Sequence, residues 1–138
     1  MANEAVLRDN KILTSKRYTC ATSTGIAKGT YLKLSGDQTA AAQTLATDIF
    51  VGFAHADVNK STDTSFNTET SVTADKGGIY DLTASGAITL GALVKVAAPG
   101  NMVMQALDAD VTSSIARVIG KALEAASDAE VINVEVFP

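Results

Sequence analysis

Two short alternating runs frame this chain. Gly29-Thr30-Tyr31-Leu32-Lys33-Leu34 and Gly91-Ala92-Leu93-Val94-Lys95-Val96 share one pattern: a glycine suited to a tight turn, then a short strand. Leu32 and Leu34, or Val94 and Val96, take one face; Tyr31 and Lys33, or Leu93 and Lys95, take the other. Downstream, Phe50-Val51-Gly52-Phe53-Ala54 answers Val118-Ile119-Gly120-Lys121-Ala122, and each leads to a strand-like run, at 70–74 and 130–136. Upstream, Thr24-Gly25 precedes the first copy as Ser85-Gly86 precedes the second. Short runs of Gly, Ala and Val recur by chance in β proteins, but the shared order of three elements favours a true repeat of two β-rich half-units.

The rest of the pattern fits between these copies. Residues 11–20 alternate, with Ile12, Thr14, Lys16, Tyr18 and Cys20 on one side, and read as an edge strand whose lysines discourage uncontrolled pairing. Ser35-Gly36-Asp37 and Pro99-Gly100-Asn101 are turn signals at matching places. Behind them, 38–47 and 102–114 read as linkers with variable surface, the first with room for one helical turn at 40–45. Asp75-Lys76-Gly77-Gly78 is a turn ahead of Ile79-Tyr80-Asp81-Leu82. The closing run places Ile132, Val134 and Val136 on one face and is expected at the centre of its sheet. Frequent turns between short alternating runs predict an all-β fold, a compact barrel or sandwich with an internal two-fold repeat. Residues 1–10 are polar with isolated Val6 and Leu7 and no sustained period. The organisation read from the chain is an extended N-terminal arm, 1–16, and a single β domain, 17–138, with half-units of roughly 17–82 and 83–138.

Composition sharpens this in three ways. Hydrophobic residues make up 46%, but aromatic content is only 5% with no tryptophan, so the core is built from small and β-branched side chains. Each fully buried Val or Leu then contributes about 1.5–3 kcal/mol, and assembly would add to a moderate monomer stability. Cys20 is the only cysteine, which excludes an internal disulfide and a thiolate metal site. The N-terminus has no basic-then-apolar signal pattern and no apolar run approaches the roughly 18 residues of a membrane span. The expectation is a soluble protein made in the cytoplasm, with no membrane partner. The net charge of −4 is uneven: residues 1–20 hold four basic against two acidic residues, leaving seven against thirteen, or −6, in the remainder. An acidic body argues against a duplex nucleic-acid binder. The basic start is either a terminus without order or a segment that orders on a partner, and its charge favours the partner.

Candidate chemistry is sparse. His55 is the only histidine; Asp57 two residues on gives it an acidic neighbour, but a surface loop accounts for both. Asp57-Val58-Asn59-Lys60-Ser61-Thr62-Asp63 spaces its first oxygen ligands as a calcium loop does, yet has Thr62 where the motif needs glycine and Thr68 where it needs glutamate. The only Gly-Lys pair, Gly120-Lys121, continues into Ala122 and not Ser or Thr, so it is no phosphate loop, and no Gly-x-Ser-x-Gly elbow occurs. Asp108 and Asp110 fall in a loop and read as solvated surface. No cofactor, metal or catalytic activity is expected.

The ordered set 12–20, 29–34, 51–54, 78–82, 91–96, 119–122 and 131–136 resembles the capsid cement, or head decoration, proteins of tailed bacteriophages. That family runs from a polar start through an alternating strand, a Gly-x-hydrophobic strand and a Val-Gly-x-Ala step. A Gly-hydrophobic strand follows, then a second Gly-x-x-Val strand and Val-Gly-x-Ala step, and a closing strand of alternating valines. The match covers nearly all of the chain after the arm; the linkers 38–48 and 102–114 and the run 57–69 are longer than the pattern. The resemblance implies a β-barrel-like protein of the virion that binds the outside of the expanded head and reinforces contacts between major capsid proteins. It also implies no catalysis, and homotrimers at threefold or pseudo-threefold lattice positions.

An acidic body with a basic, extendable start suits a protein that is soluble before assembly and gains affinity from many copies on a lattice. From position and character alone, the candidate capsid-binding residues are Val6, Leu7, Arg8, Lys11, Ile12 and Lys16, with strand addition to a capsid edge as the mode. The alternatives are another virion structural protein, such as a tail-tube or fibre component, a surface-binding β module, or a small enzyme. A sugar-binding module is poorly served by Tyr18, Tyr31 and Tyr80 as the only tyrosines.

Overall fold

The computed structural model describes residues 4–9, 14–20, 25–58, 70–98, 100–107 and 115–138. The strands in chain order are β1 (Val6–Asp9), β2 (Thr14–Thr19), β3 (Tyr31–Gly36), β4 (Thr39–Ala42), β5 (Phe50–Ala54) and β6 (Ser71–Lys76). They continue with β7 (Ile79–Thr83), β8 (Leu93–Val96), β9 (Val103–Gln105), β10 (Val118–Ala122) and β11 (Val131–Val136). A 3-10 turn at Ile115–Arg117 leads into β10. Strands β2-β4-β3-β5-β6 close a barrel, and β1-β7-β11-β10-β8-β9 form a six-stranded sheet. The fold is all-β, as the alternating runs predict, and β11 lies between β7 and β10 within its sheet.

The internal repeat is present down to its irregularities. In the barrel, Leu32 pairs with Gly52 and Lys33 with Phe50, so Val51 is bulged out of register. In the sheet, Val94 pairs with Gly120 and Lys95 with Val118, and Ile119 is bulged in the same place. Ile26 bridges Val58 as Ile88 bridges Ala126, and the parallel contact of Thr19 with Thr39 that closes the barrel is answered by Ala84 with Val103. The matching strands are therefore β2 with β7, β3 with β8, β4 with β9, β5 with β10 and β6 with β11. A bulge bends and twists its strand, so repeating it at one register gives both halves the same curvature. The sheet keeps the barrel's strand order, its β7–β9 seam joined at the Ala84–Val103 bridge, and β1 pairs along β7 beside that seam.

The chain divides at Gly77-Gly78, both with positive φ, where β6 turns into β7. Ile79–Thr83 thus starts the second half, four residues before the expected start at 83, because its match is β2 and not an appendage of β6. The linkers expected at 38–47 and 102–114 each supply a strand, β4 and β9. At 40–45 the alanines do not form a helical turn: Ala40, Ala41 and Ala42 pair across from Leu34, Lys33 and Leu32. Here ladder bonds and close packing against β3 outweigh alanine's weak helix preference.

Two cores result. Inside the barrel, Leu32, Ala54, Val72 and Ala74 pack with Cys20, Ile26 and Val58, a core of small side chains. The second core joins Leu82, Val94, Ile119, Ile132 and Val134 to Tyr31, Phe50 and Phe53, which reach across from the barrel. Four of the chain's seven aromatic residues, Tyr31, Phe50, Phe53 and Tyr80, meet at this junction. Phe53 makes edge contacts within the barrel, with ring centroids 4.9 Å from Tyr31 and 5.0 Å from Phe50, and a tilted contact across the junction, 4.5 Å from Tyr80.

Candidate assembly surfaces

Of the segment expected to extend as an arm, Val6–Asp9 is strand β1 and Thr14–Lys16 opens strand β2. Strand β1 runs antiparallel to β7, with Val6 opposite Asp81 and Leu7 opposite Tyr80. The Arg8 Nε donates to Asp81 Oδ2 at 2.6 Å, and that bond and charge raise the guanidinium's already high pKa. Just ahead of β1, the Ala5 N–H donates to the Gly29 carbonyl at 2.9 Å, tying the N-terminal segment to the barrel. Val6 and Leu7 nonetheless remain exposed. Lys16 projects from the barrel on β2, its Nζ 5.1 Å from the Tyr18 ring centroid. The candidate residues are thus shared between two sheets: Val6, Leu7 and Arg8 on β1, Lys16 on β2. Lys11 and Ile12 lie outside the described residues.

Between the halves runs a groove of about 680 Å³, bounded by Ala5, Val6 and Leu7 on one side and by Lys28, Gly29, Phe53, His55, Asp75 and Tyr80 on the other. Its polar feature is the Asp75 carboxylate, which accepts from Ser15 Oγ at 2.5 Å and pairs with His55 Nδ1 at 2.7 Å. Serine and imidazole converge on the same carboxylate, so the imidazole does not stand between hydroxyl and acid as a proton relay requires. The arrangement ties Ser15 of β2 and His55 to the end of β6. The Tyr80 hydroxyl is buried with no hydrogen-bond partner, and burial together with the Asp75 charge pushes its pKa up.

The other sequence candidates separate in space. His55 turns to Asp75 and not to Asp57, whose Oδ1 instead accepts the Lys28 N–H at 2.7 Å. The calcium-like run continues into 59–63, and Asp108 and Asp110 follow Leu107; both stretches lie outside the described residues. Among the described residues no group of three His, Cys, Asp or Glu side chains comes together, and no helix is long and apolar enough to cross a membrane.

What sequence reasoning missed is a set of exposed leucines on the second half. Leu90 and Leu107 are 66% and 65% exposed, and Leu123 is 37% exposed. Backbone bonds gather their segments: Gly91 N–H to the Ala122 carbonyl, Thr89 N–H to the Gln105 side chain, and Ala106 N–H to the Leu93 carbonyl. The signal was present in the repeat, since the matching barrel positions are Lys28, Thr44 and His55. The same surface is polar in one copy and apolar in the other.

No protein-family model matches the chain, and no curated protein matches it in sequence. Among solved structures, the crystal structure of the head fiber gp8.5 N base of bacteriophage phi29 matches over 91% of this chain and 95% of that one, at 15% identity and a TM-score of 0.53. At that identity the likeness is one of fold, and it spans both halves of the repeat.

Proposed function

We propose that this chain is a structural protein of a tailed-phage virion that decorates the outer surface of the expanded head and reinforces contacts between major capsid proteins. The observation that carries the reading is the fold shared with a head-fiber base over 91% of the chain, together with the ordered motif set that resembles the cement proteins. The reading is non-enzymatic: the one Ser, His and Asp cluster is arranged to hold a strand end. Many weakly held copies on a repeating surface gain strength through avidity. A two-half body with exposed Val6, Leu7 and Lys16 offers contacts for a lattice partner. Homotrimers at threefold or pseudo-threefold positions belong to this proposal.

A second reading, the base of a head fibre, is favoured by the phi29 neighbour itself, which is a head-fiber part. Both readings place the chain on a head, and they differ in occupancy. Co-sedimentation of the purified protein with expanded, undecorated heads tests them. Saturable binding at one copy number per lattice position supports decoration, sparse binding at a subset of positions supports the fibre base, and no binding removes both.

A further inference from the structure

Aromatic side chains of the barrel pack into the core of the second half, and the matching faces, on the second half and on the barrel, are not covered by the described residues. On the barrel, Tyr31 and Phe53 turn toward the second half and are fully buried there. Their counterparts by register are Leu93, half-buried, and Lys121, exposed. Gly29 and Gly91 make the same turn, at φ +83° and +80°. Glu4 and Ala5 sit on Gly29, within 2.8 Å of where a Cβ would stand, whereas among the described residues nothing lies within 4 Å of that position at Gly91. The exposed Leu90 and Leu123 flank this empty seat.

The opposite face is open on the barrel. Tyr80, which receives Phe53, corresponds to Lys16, exposed on β2. Val96, which belongs to the junction core, corresponds to Leu34, 42% exposed. Charge agrees with a second use of the same geometry. Asp75 and Tyr80 line the junction groove together; the residues at the matching positions are Glu135 and Lys16, which carry opposite charges.

We propose that the leucine face of the second half, Leu90 and Leu123 around Gly91, docks against the β2 face of the barrel of a second copy of this chain, repeating between chains the junction made within each. Such a contact is heterologous: each copy uses a different face at each end, so it propagates until it closes into a ring or runs on as a filament. Burying leucines that are more than a third exposed supplies the apolar drive, and Glu135 with Lys16 fixes register and direction. This proposal stands on the repeat alone and not on the head-binding reading.

Sedimentation velocity of the full chain over a concentration series tests it. The wild-type protein is expected as an oligomer, and Leu90→Asp with Leu123→Asp is expected to sediment as a monomer with an unchanged circular dichroism spectrum, since both side chains are exposed. Glu135→Lys alone is expected to weaken association by about tenfold, and adding Lys16→Glu to restore it. A wild-type monomer at every concentration overturns the proposal, as does an oligomer indifferent to the leucine changes. Dissociation by the leucine changes without rescue by the charge exchange overturns the assignment of β2 as the partner face. Head binding is measured separately, through Val6→Asp on β1, because Lys16 serves both proposed contacts.

Discussion

Gly120 lies against the backbone carbonyl of Glu135 so closely that a Cβ at position 120 would overlap the oxygen. Gly52 stands in the same relation to the Asp75 carbonyl, where a Cβ would come within 2.8 Å. Both glycines sit beside the bulge that each half carries, and both abut the strand that closes it. Replacing Gly120 with alanine must push backbone from backbone, and a loss of about 3 kcal/mol is expected. Gly91→Ala, strained by its positive φ but with open space around it, is expected to cost about 1–2 kcal/mol. Urea midpoints of the two variants check the order; equal losses would mean that the close approach is not what the repeat conserves.

The aromatic junction gives a second pair of expectations. Phe53→Ala removes the ring that touches Tyr31, Phe50 and Tyr80, and is expected to cost about 3–5 kcal/mol as a cavity between the halves. Tyr80→Phe removes only a buried hydroxyl with no partner, so its effect should lie within about 0.5 kcal/mol or be stabilising. A large loss for Tyr80→Phe would reveal a bond at that hydroxyl.

Asp48 sets a pH dependence. Burial pushes its pKa up, but the N–H groups of Leu45 and Thr44, at 2.8 and 2.9 Å, and the charge of Lys33 outweigh this and hold it below the ordinary value of 3.8. A carboxyl with a depressed folded-state pKa stabilises above its unfolded pKa, and that stabilisation is lost as pH falls through the folded value. Asp48→Asn is therefore expected to cost about 1 kcal/mol at pH 7. The gap to wild type should close as the pH is taken below about 3.8. A gap constant with pH would place the effect in packing, not in the charge.

Strand β1 changes how the N-terminal segment should be probed. Removing residues 1–10 deletes a strand that pairs with β7 and exposes Gly29, so a fall in melting temperature is expected along with any loss of head binding. Val6→Asp and Lys16→Glu act on exposed side chains and leave the pairing intact. If the segment contacts the capsid, these changes should weaken head binding with melting within about 2 °C of wild type. Unchanged occupancy in both variants would remove these residues from the contact.

The repeat was legible because glycine is informative where backbones nearly touch: Gly52 and Gly120, like Gly29 and Gly91, recur at fixed places in an alternating pattern. The strand pairing of 79–83 was harder to read, since Ile79-Tyr80-Asp81-Leu82 follows the β6 turn as a hairpin partner would and only its register with β11 reveals its place. Strand β1 was hidden because Val6-Leu7-Arg8-Asp9 is short and half polar, and Asp81, its charge partner, lies 73 residues away. Strand β4 is hidden because Thr39-Ala40-Ala41-Ala42 lacks β-branched apolar residues, and β9 because Val103–Gln105 is only three residues long; pairing to β3 and to β8 makes them strands. The leucine surface was visible only as a difference between aligned halves, which requires the structural register to fix the alignment.

Electron cryo-microscopy of expanded heads incubated with the purified protein tests the central claim most directly. The expected result is density for the two-half body at regular positions across the outer lattice, bridging neighbouring major capsid proteins. Heads that remain bare at saturating protein would contradict the decoration role and leave the repeated β fold without it.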